Sequence, residues 1–365
     1  MKSFTIKLIF VFLCPLLFLT GCSDELRETV AILIDPPLWE ESTTLSAAPT
    51  VEEMIESGSL ADDGTDGGIF EMGSEPSDEE VRMSTSGMFR YSYSELNEKE
   101  RLLYREIYTV LYSHADAVTI SSTDADQVDK VFLLVMNDHP EIFYVTGYSM
   151  NKYMTDGVTT SLEFTGTYDK DKDEVEEGQK EIDRYVGELL DGMPEYDEDY
   201  RKVRYVYEYL IDNTDYDLEA EDNQNILSVF KSGKSVCQGY AKATQYILNE
   251  LDIPCLLVTG TAKVTSPDGE VLKSLKAGTG SPDLKSGAGK EGEGHAWNIA
   301  YVDGEWTNVD TTWGDASYRN IITGEVRNEI TYDYLCVGDD VLSESHKIKS
   351  SIDLPKAVTI SKPVW

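Results

Sequence analysis

The chain has 365 residues and a formal net charge of -37 at pH 7, from 68 Asp and Glu against 31 Lys and Arg. So acidic a surface repels phosphate and excludes nucleic acid as a partner. The length suits about two domains plus a tail.

Lys2 and Lys7 precede an apolar run from Leu8 to Leu19, broken only by Pro15 and closed by Leu19-Thr20-Gly21-Cys22. This is the pattern of a processing segment, predicted over residues 1–22, and it is too short to span a bilayer, which takes about 20 apolar residues. Leu-Thr-Gly-Cys resembles the bacterial lipoprotein signal. That resemblance implies lipidation of Cys22 and a chain anchored in a lipid bilayer on the extracytoplasmic face of a bacterial membrane. Residues 23–88 are rich in acids, with only Arg27 and Arg82 against them, and Gly, Ser, Thr and Pro recur throughout. A disordered acidic tether is expected there.

Order is predicted from about residue 89. Asn97 with Glu100 makes a helix start, and Leu103, Ile107, Val110 and Leu111 supply its apolar face. A second helix is predicted over Asp124–Asn137, with Val128, Val131, Phe132 and Val135 inward. Strands are predicted over Glu141–Tyr148 and Ser161–Tyr168, completing a small α/β domain at 89–170. His139 reads as structural. Asp169, Asp171 and Asp173 suggest a calcium loop, but Glu174 and Lys180 stand where its Gly and Glu belong, so no metal is expected. Two helices, about Glu174–Leu190 and Asp197–Asn213, and a short one over Asn225–Phe230 lead into a domain at 171–345.

The stretch Ser235-Val236-Cys237-Gln238-Gly239-Tyr240-Ala241 reads as a helix start bearing a thiol. Gly233 breaks what precedes, and Ser235 with Gln238 has the form of a capping box. Cys237 then falls in the first turn, where the helix dipole favours the thiolate, the attacking form. Cys255 and Cys336 lie in strand-like apolar runs and read as buried core thiols. After a strand over Cys255–Thr261 comes a long Gly-, Ser- and Lys-rich run from Thr265 to Gly294, read either as a lid or as an insertion without a role.

Asn298–Val302 and Glu305–Val309 are β-rich runs joined by Asp303-Gly304, a strong hairpin signal. Counting back from Val302 opposite Glu305 puts Trp297 opposite Asp310 and His295 opposite Thr312. His295 and Asp310 then share one face, roughly 7 to 8 Å apart at the backbone. A further core strand is predicted over Ile330–Val337. His346 is expected to be exposed, in a tail spanning 346–365.

Three motifs, G-x-S-V-C-Q-G-Y-A, G-H-A-W-N-x-x-x-V-D-G-E-W and N-V-D-T-T-W-G-D, together resemble the transglutaminase-like superfamily of papain-type thiol enzymes over roughly residues 195–340. The resemblance implies an α+β fold, with a nucleophile helix packed on an antiparallel sheet behind the small α/β domain. It also implies a triad of Cys237, His295 and Asp310. The Cys237 backbone N–H and Gln224 are candidates for the oxyanion, and Trp297, Trp306, Tyr240 and Trp313 for substrate contacts. The implied activity is acyl transfer through a thioester at peptide or carboxamide bonds of a protein or peptide substrate at the cell surface, without a cofactor. Peptidase or amidase chemistry is the first reading. Crosslinking or deamidation, or a catalytically weak peptide- or glycan-binding lipoprotein, are the alternatives.

Overall fold

The computed structural model describes residues 38–42, 48–57, 91–263, 293–315 and 329–361. The processing segment with Cys22, most of 23–88 and the run 264–292 lie outside them. The described residues form an α+β fold with two larger sheets and one short parallel pair.

The first sheet collects β1 (Leu38–Ser42), β2 (Val118–Ile120) and the hairpin β3 (Val145–Thr155) and β4 (Val158–Tyr168), in the order β1-β3-β4-β2. It is accompanied by the short helices α1 (Val51–Glu56) and α2 (Tyr91–Ser94) and by α3 (Glu98–Ser113) and α4 (Ala125–Asp138). The start of α3 is as its residues dictate. Asn97 accepts the N–H groups of Lys99 and Glu100, and Glu100 reaches back to the Asn97 N–H at 3.2 Å. Asp124 caps α4 in the same manner. Every apolar position predicted to face inward on these two helices is buried.

Two expectations need correction here. Strand β3 begins at Val145, because 139–144 folds into successive turns that bury Ile142 and Phe143. The run 23–88 is not tether throughout. β1 pairs in parallel with β3, and Val51 and Met54 bury themselves in the adjoining core, since apolar side chains placed along that acidic run gain by leaving water.

Helices α5 (Lys172–Gly192) and α6 (Asp199–Asn213) follow. Asp171 caps α5 in a box with Glu174. No side chain of its own caps α6, but Asp303, from the tip of a later hairpin, accepts the Asp199 N–H at 2.9 Å. Strands β5 (Asp215–Tyr216) and β6 (Lys234–Ser235) pair in parallel around a π-helical turn at Ser228–Ser232, which replaces the short helix predicted at 225–230.

The second sheet is antiparallel and carries the order β10-β9-β8-β7-β11. Its members are β7 (Cys255–Ala262), β8 (Glu293–Val302), β9 (Glu305–Val309), β10 (Leu335–Val337) and β11 (His346–Lys349). Helix α7 (Cys237–Glu250) packs against it, and the short helices α8 (Thr311–Gly314) and α9 (Asp339–Leu342) lie between its later strands. The hairpin register is the one counted from the turn: Val302 faces Glu305 and Asn298 faces Val309. Asp303 and Gly304 both have positive φ, +50° and +93°, the conformation that a two-residue turn of this twist requires. Past Val309 the chain leaves the ladder, so Asp310 starts α8 instead of extending the strand to Thr312.

The hairpin divides by alternation into two faces. Ala296, Ala300, Val302 and Val309 take the α7 side, where Ala241, Ala243 and Ile247 are buried. Trp297 and Ile299 take the other, packed with Leu256, Val258, Val337 and Leu342. The tail expected after 345 begins as a strand: β11 pairs with β7, Ala262 through Thr259 opposite His346 through Lys349, and completes the sheet edge. The strand predicted over 330–337 contracts to Leu335–Val337.

Candidate active site

Helix α7 opens at Cys237 itself. Val236 precedes it with extended backbone, and no side chain caps it. The predicted capping box is wrong because tertiary partners claim the Ser235 hydroxyl. Ser235 is fully buried, donating to the Asn223 carbonyl at 3.0 Å and lying 2.7 Å from Ser228 Oγ. The N–H groups of a first helical turn have no acceptor within the helix, so the positive end of α7 is presented beside the thiol.

The turn that claims Ser235 also dictates a glycine. A Cβ at Gly239 would lie 1.9 Å from Ser235 Oγ and 3.0 and 3.1 Å from the carbonyl oxygens of Asn225 and Asn223. The absence of a side chain at Gly239 lets the 222–225 turn press against the start of α7. Gln224 belongs to this turn and is half-buried, with an amide N–H donated to Asn223 Oδ1 at 3.2 Å.

Cys237 is partly exposed and packs beside Ala241, Leu257 and Ala296. His295, near the start of β8, is buried. Its Nε2 lies 2.7 Å from Asp310 Oδ2, and the Cys237 thiol is near enough to favour a proton on its ring. With Nε2 engaged by the carboxylate, Nδ1 is the nitrogen left for sulfur. Asp310 is fully buried, and its second oxygen caps α8 by accepting the Trp313 N–H at 3.0 Å. A side chain that caps a helix with one oxygen can present the other in only a narrow range of directions. α8 is in turn tied to α7 through Thr311 Oγ1, 2.9 Å from Thr244 Oγ1.

The charges follow from this arrangement. Burial works against a proton on His295. The attraction of Asp310 and the hydrogen bond to it, with a further contribution from Cys237, outweigh it and raise the imidazole pKa to about 10. Burial would likewise raise the Asp310 carboxyl, but the two histidines beside it hold the carboxyl well below the usual range. Cys255 and Cys336 are buried, and burial pushes both thiols up, away from the reactive thiolate.

Of the aromatic candidates, Trp297 and Tyr240 are fully buried and belong to the framework, which corrects their assignment to substrate. Trp297 is shut in because the segment at 335–342 covers the face that alternation left open; its indole N–H donates to Asn308 at 3.3 Å. The Tyr240 hydroxyl is the donor to the Thr214 carbonyl at 2.7 Å and to Asp315 Oδ2 at 2.5 Å, sharing its one proton between them. Trp313 is also buried, its ring centroid 5.8 Å from that of His295. Trp306 is half-buried in a group with Tyr91 and Tyr301.

One residue at the site reverses its expectation. His346, predicted to be exposed, is buried with Nε2 3.0 Å from the same Asp310 Oδ2 that His295 uses. A single histidine in the polar run Ser343-Glu344-Ser345-His346-Lys347 carries no local signal, and only the pairing of β11 brings it in. His295, Asp310 and His346 each offer a donor atom within 4.8 Å of the others. Tetrahedral zinc would hold such atoms roughly 3.3 Å apart at bond lengths of about 2.0 Å. The spacings of 2.7 and 3.0 Å are those of N–H···O hydrogen bonds.

Residues 188–311 match the family model of the transglutaminase-like superfamily. The kyphoscoliosis peptidase of Mus musculus is 29% identical over 136 residues, covering 35% of this chain and 18% of that protein. The Homo sapiens protein is 28% identical over 139 residues, covering 36% and 18%. This chain therefore spans less than a fifth of the length of these curated relatives. Among solved structures, the periplasmic domain of TgpA from Pseudomonas aeruginosa is 15% identical, with a TM-score of 0.27, over 46% of this chain and 58% of that one. The stretch that matches the transglutaminase-like superfamily model, residues 188–311, is the one that carries the helix-borne thiol, the hairpin-borne histidine and Asp310.

Proposed function

We propose that the chain is a cysteine-dependent acyl-transfer enzyme acting on peptide or carboxamide bonds, with water as its ordinary acceptor, and so a peptidase or amidase. The observation that supports this best is the placement of His295, hydrogen-bonded through Nε2 to Asp310 and close enough to Cys237 for the thiol to favour a proton on the ring. Cys237 sulfur, having passed its proton to His295, attacks the carbonyl carbon, and a C–S bond forms. The oxyanion that develops lies at the start of α7, where the Cys237 backbone N–H is the natural donor. His295 then delivers its proton to the departing nitrogen as the C–N bond breaks. Water attacks the thioester, giving its proton to His295, and the C–S bond breaks to release the acid. Asp310 keeps the imidazole in the right tautomer and offsets its charge.

An anchored, extracytoplasmic setting is part of this reading. It rests on the Leu-Thr-Gly-Cys motif at Cys22 and the acidic stretch behind it. Among the described residues no helix is long and apolar enough to cross a membrane. Incubating the protein with a peptide library, with and without a primary amine, and reading the products by mass spectrometry tests the activity. Cleaved peptides support the proposal. Amine adducts on Gln would replace it with crosslinking, and conversion of Gln to Glu without cleavage would replace it with deamidation.

A further inference from the structure

His346 lies beyond residue 311, where the match to the family model ends, yet it shares an oxygen with the base of the proposed triad. The strand between explains how it arrives there. On the His295 face of the sheet, β7 presents Gly260 opposite His295 and Ala262 opposite His346. With so little side chain on the middle strand, rings from β8 and β11 meet across it. The His346 and His295 centroids are 5.3 Å apart, and Trp297 stands edge-on to His346 at 5.1 Å. A Cβ on Gly260 would come within 2.8 Å of the Trp297 ring.

The hydrogen-bond chemistry of His346 is constrained on both sides. Asp310 Oδ2 can only accept, so His346 must present Nε2–H to it. On the other side Ser345 Oγ lies 2.8 Å from Nδ1 and can donate to it, which suits a neutral ring. The other groups facing the ring are His295, the rings of Trp297, Trp313 and Tyr334, and the Leu342 carbonyl. Burial and the charge of His295 disfavour a proton on His346, and against the pull of Asp310 the balance falls below the ordinary histidine value.

We infer that His346 is a positioning residue for the thiol chemistry: by donating Nε2–H to Asp310 it fixes the carboxylate and takes up part of its charge, leaving His295 freer to release its proton. The inference rests on the proposed Cys237 chemistry and adds a fourth side chain to it. Two hydrogen bonds on one oxygen, with the helix cap on the other, leave Asp310 a single orientation. A carboxylate bonded only to His295 would both swing and bind the imidazolium more tightly.

The test is the rate at which iodoacetamide alkylates Cys237 at pH 7 in the wild type, H346L and H346Q, with folding checked by circular dichroism. H346L is expected to slow alkylation roughly 10- to 100-fold, the usual cost of losing a partner that orients a reactive group. H346Q, whose amide can donate to Asp310, is expected to recover most of the rate. A folded H346L as fast as the wild type, or an H346Q as slow as H346L, overturns the inference while leaving the triad standing. Wild-type Cys237 no faster than Cys255 and Cys336 removes the thiol chemistry and the inference with it. If H346L does not fold, histidine-selective 15N NMR of the wild type decides. A neutral Nε2–H ring for His346 near pH 7 that shifts in D310N supports the assignment, and an imidazolium there overturns it.

Discussion

His295 Nε2 lies 2.7 Å from Asp310 Oδ2 in the closed interior of the molecule, although the two residues leave the hairpin by different routes. His295 remains in strand β8, while Asp310 has already turned into the cap of α8. The carboxylate is thus aimed by helix geometry and the imidazole by sheet geometry. Neither is free to drift.

Replacing Asp310 by Asn keeps the shape and removes the charge. The amide can also turn its nitrogen to the imidazole and favour the wrong tautomer. Alkylation of Cys237 in D310N is expected to fall by about 10² or more. A rate within a factor of about three of the wild type would mean that Asp310 serves only as a helix cap.

Stability should depend on pH through the same pair. The His295 pKa is raised in the folded chain from its ordinary 6.5 to about 10. Its contribution is therefore fully present below about 6.5 and is lost as pH rises toward 10. The Asp310 carboxyl is depressed, so its contribution is present above the ordinary 3.8 and is lost as pH falls. The Tm difference between the wild type and H295Q is expected to narrow between pH 7 and 10; a constant difference would count against a protonated His295 in the native state.

Gly239→Ala should strain the start of α7, since its Cβ meets Ser235 Oγ and two carbonyl oxygens. Overpacking of this kind costs about 1–3 kcal/mol. Urea denaturation should show that loss together with slower Cys237 alkylation, because the turn and the helix start move as one. Unchanged stability would show that the 222–225 turn yields freely.

Trp297→Ala tests the reassignment of this indole from substrate contact to core. A fully buried Trp removed to Ala typically costs about 3–5 kcal/mol. The midpoint of urea unfolding is expected to fall sharply. A stable variant altered only in KM would restore the substrate role.

Much of this was legible in the residues. Asp303-Gly304 determined the hairpin register, and Asn97 with Glu100 marked the first turn of α3, because both signals act within a few residues. Cys237, His295 and Asp310 were readable because their motifs are local even though their meeting is not. Ser235 misled for the opposite reason: its spacing to Gln238 suits a capping box, but Asn223 and Ser228, distant in the turn, compete for its hydroxyl. Alternation identified the Trp297 face correctly and could not say what would cover it. His346 was invisible because its meaning depends on an edge strand pairing with residues 259–262, and nothing in its own neighbourhood announces that strand.

The most direct test of the central claim is the alkylation rate of each cysteine at pH 7, followed by mass spectrometry in the wild type and in H295Q. Wild-type Cys237 is expected to be modified far faster than buried Cys255 and Cys336, and H295Q to abolish most of that advantage. Equal, slow modification of all three thiols in the wild type, or a Cys237 equally fast without the imidazole, would contradict it.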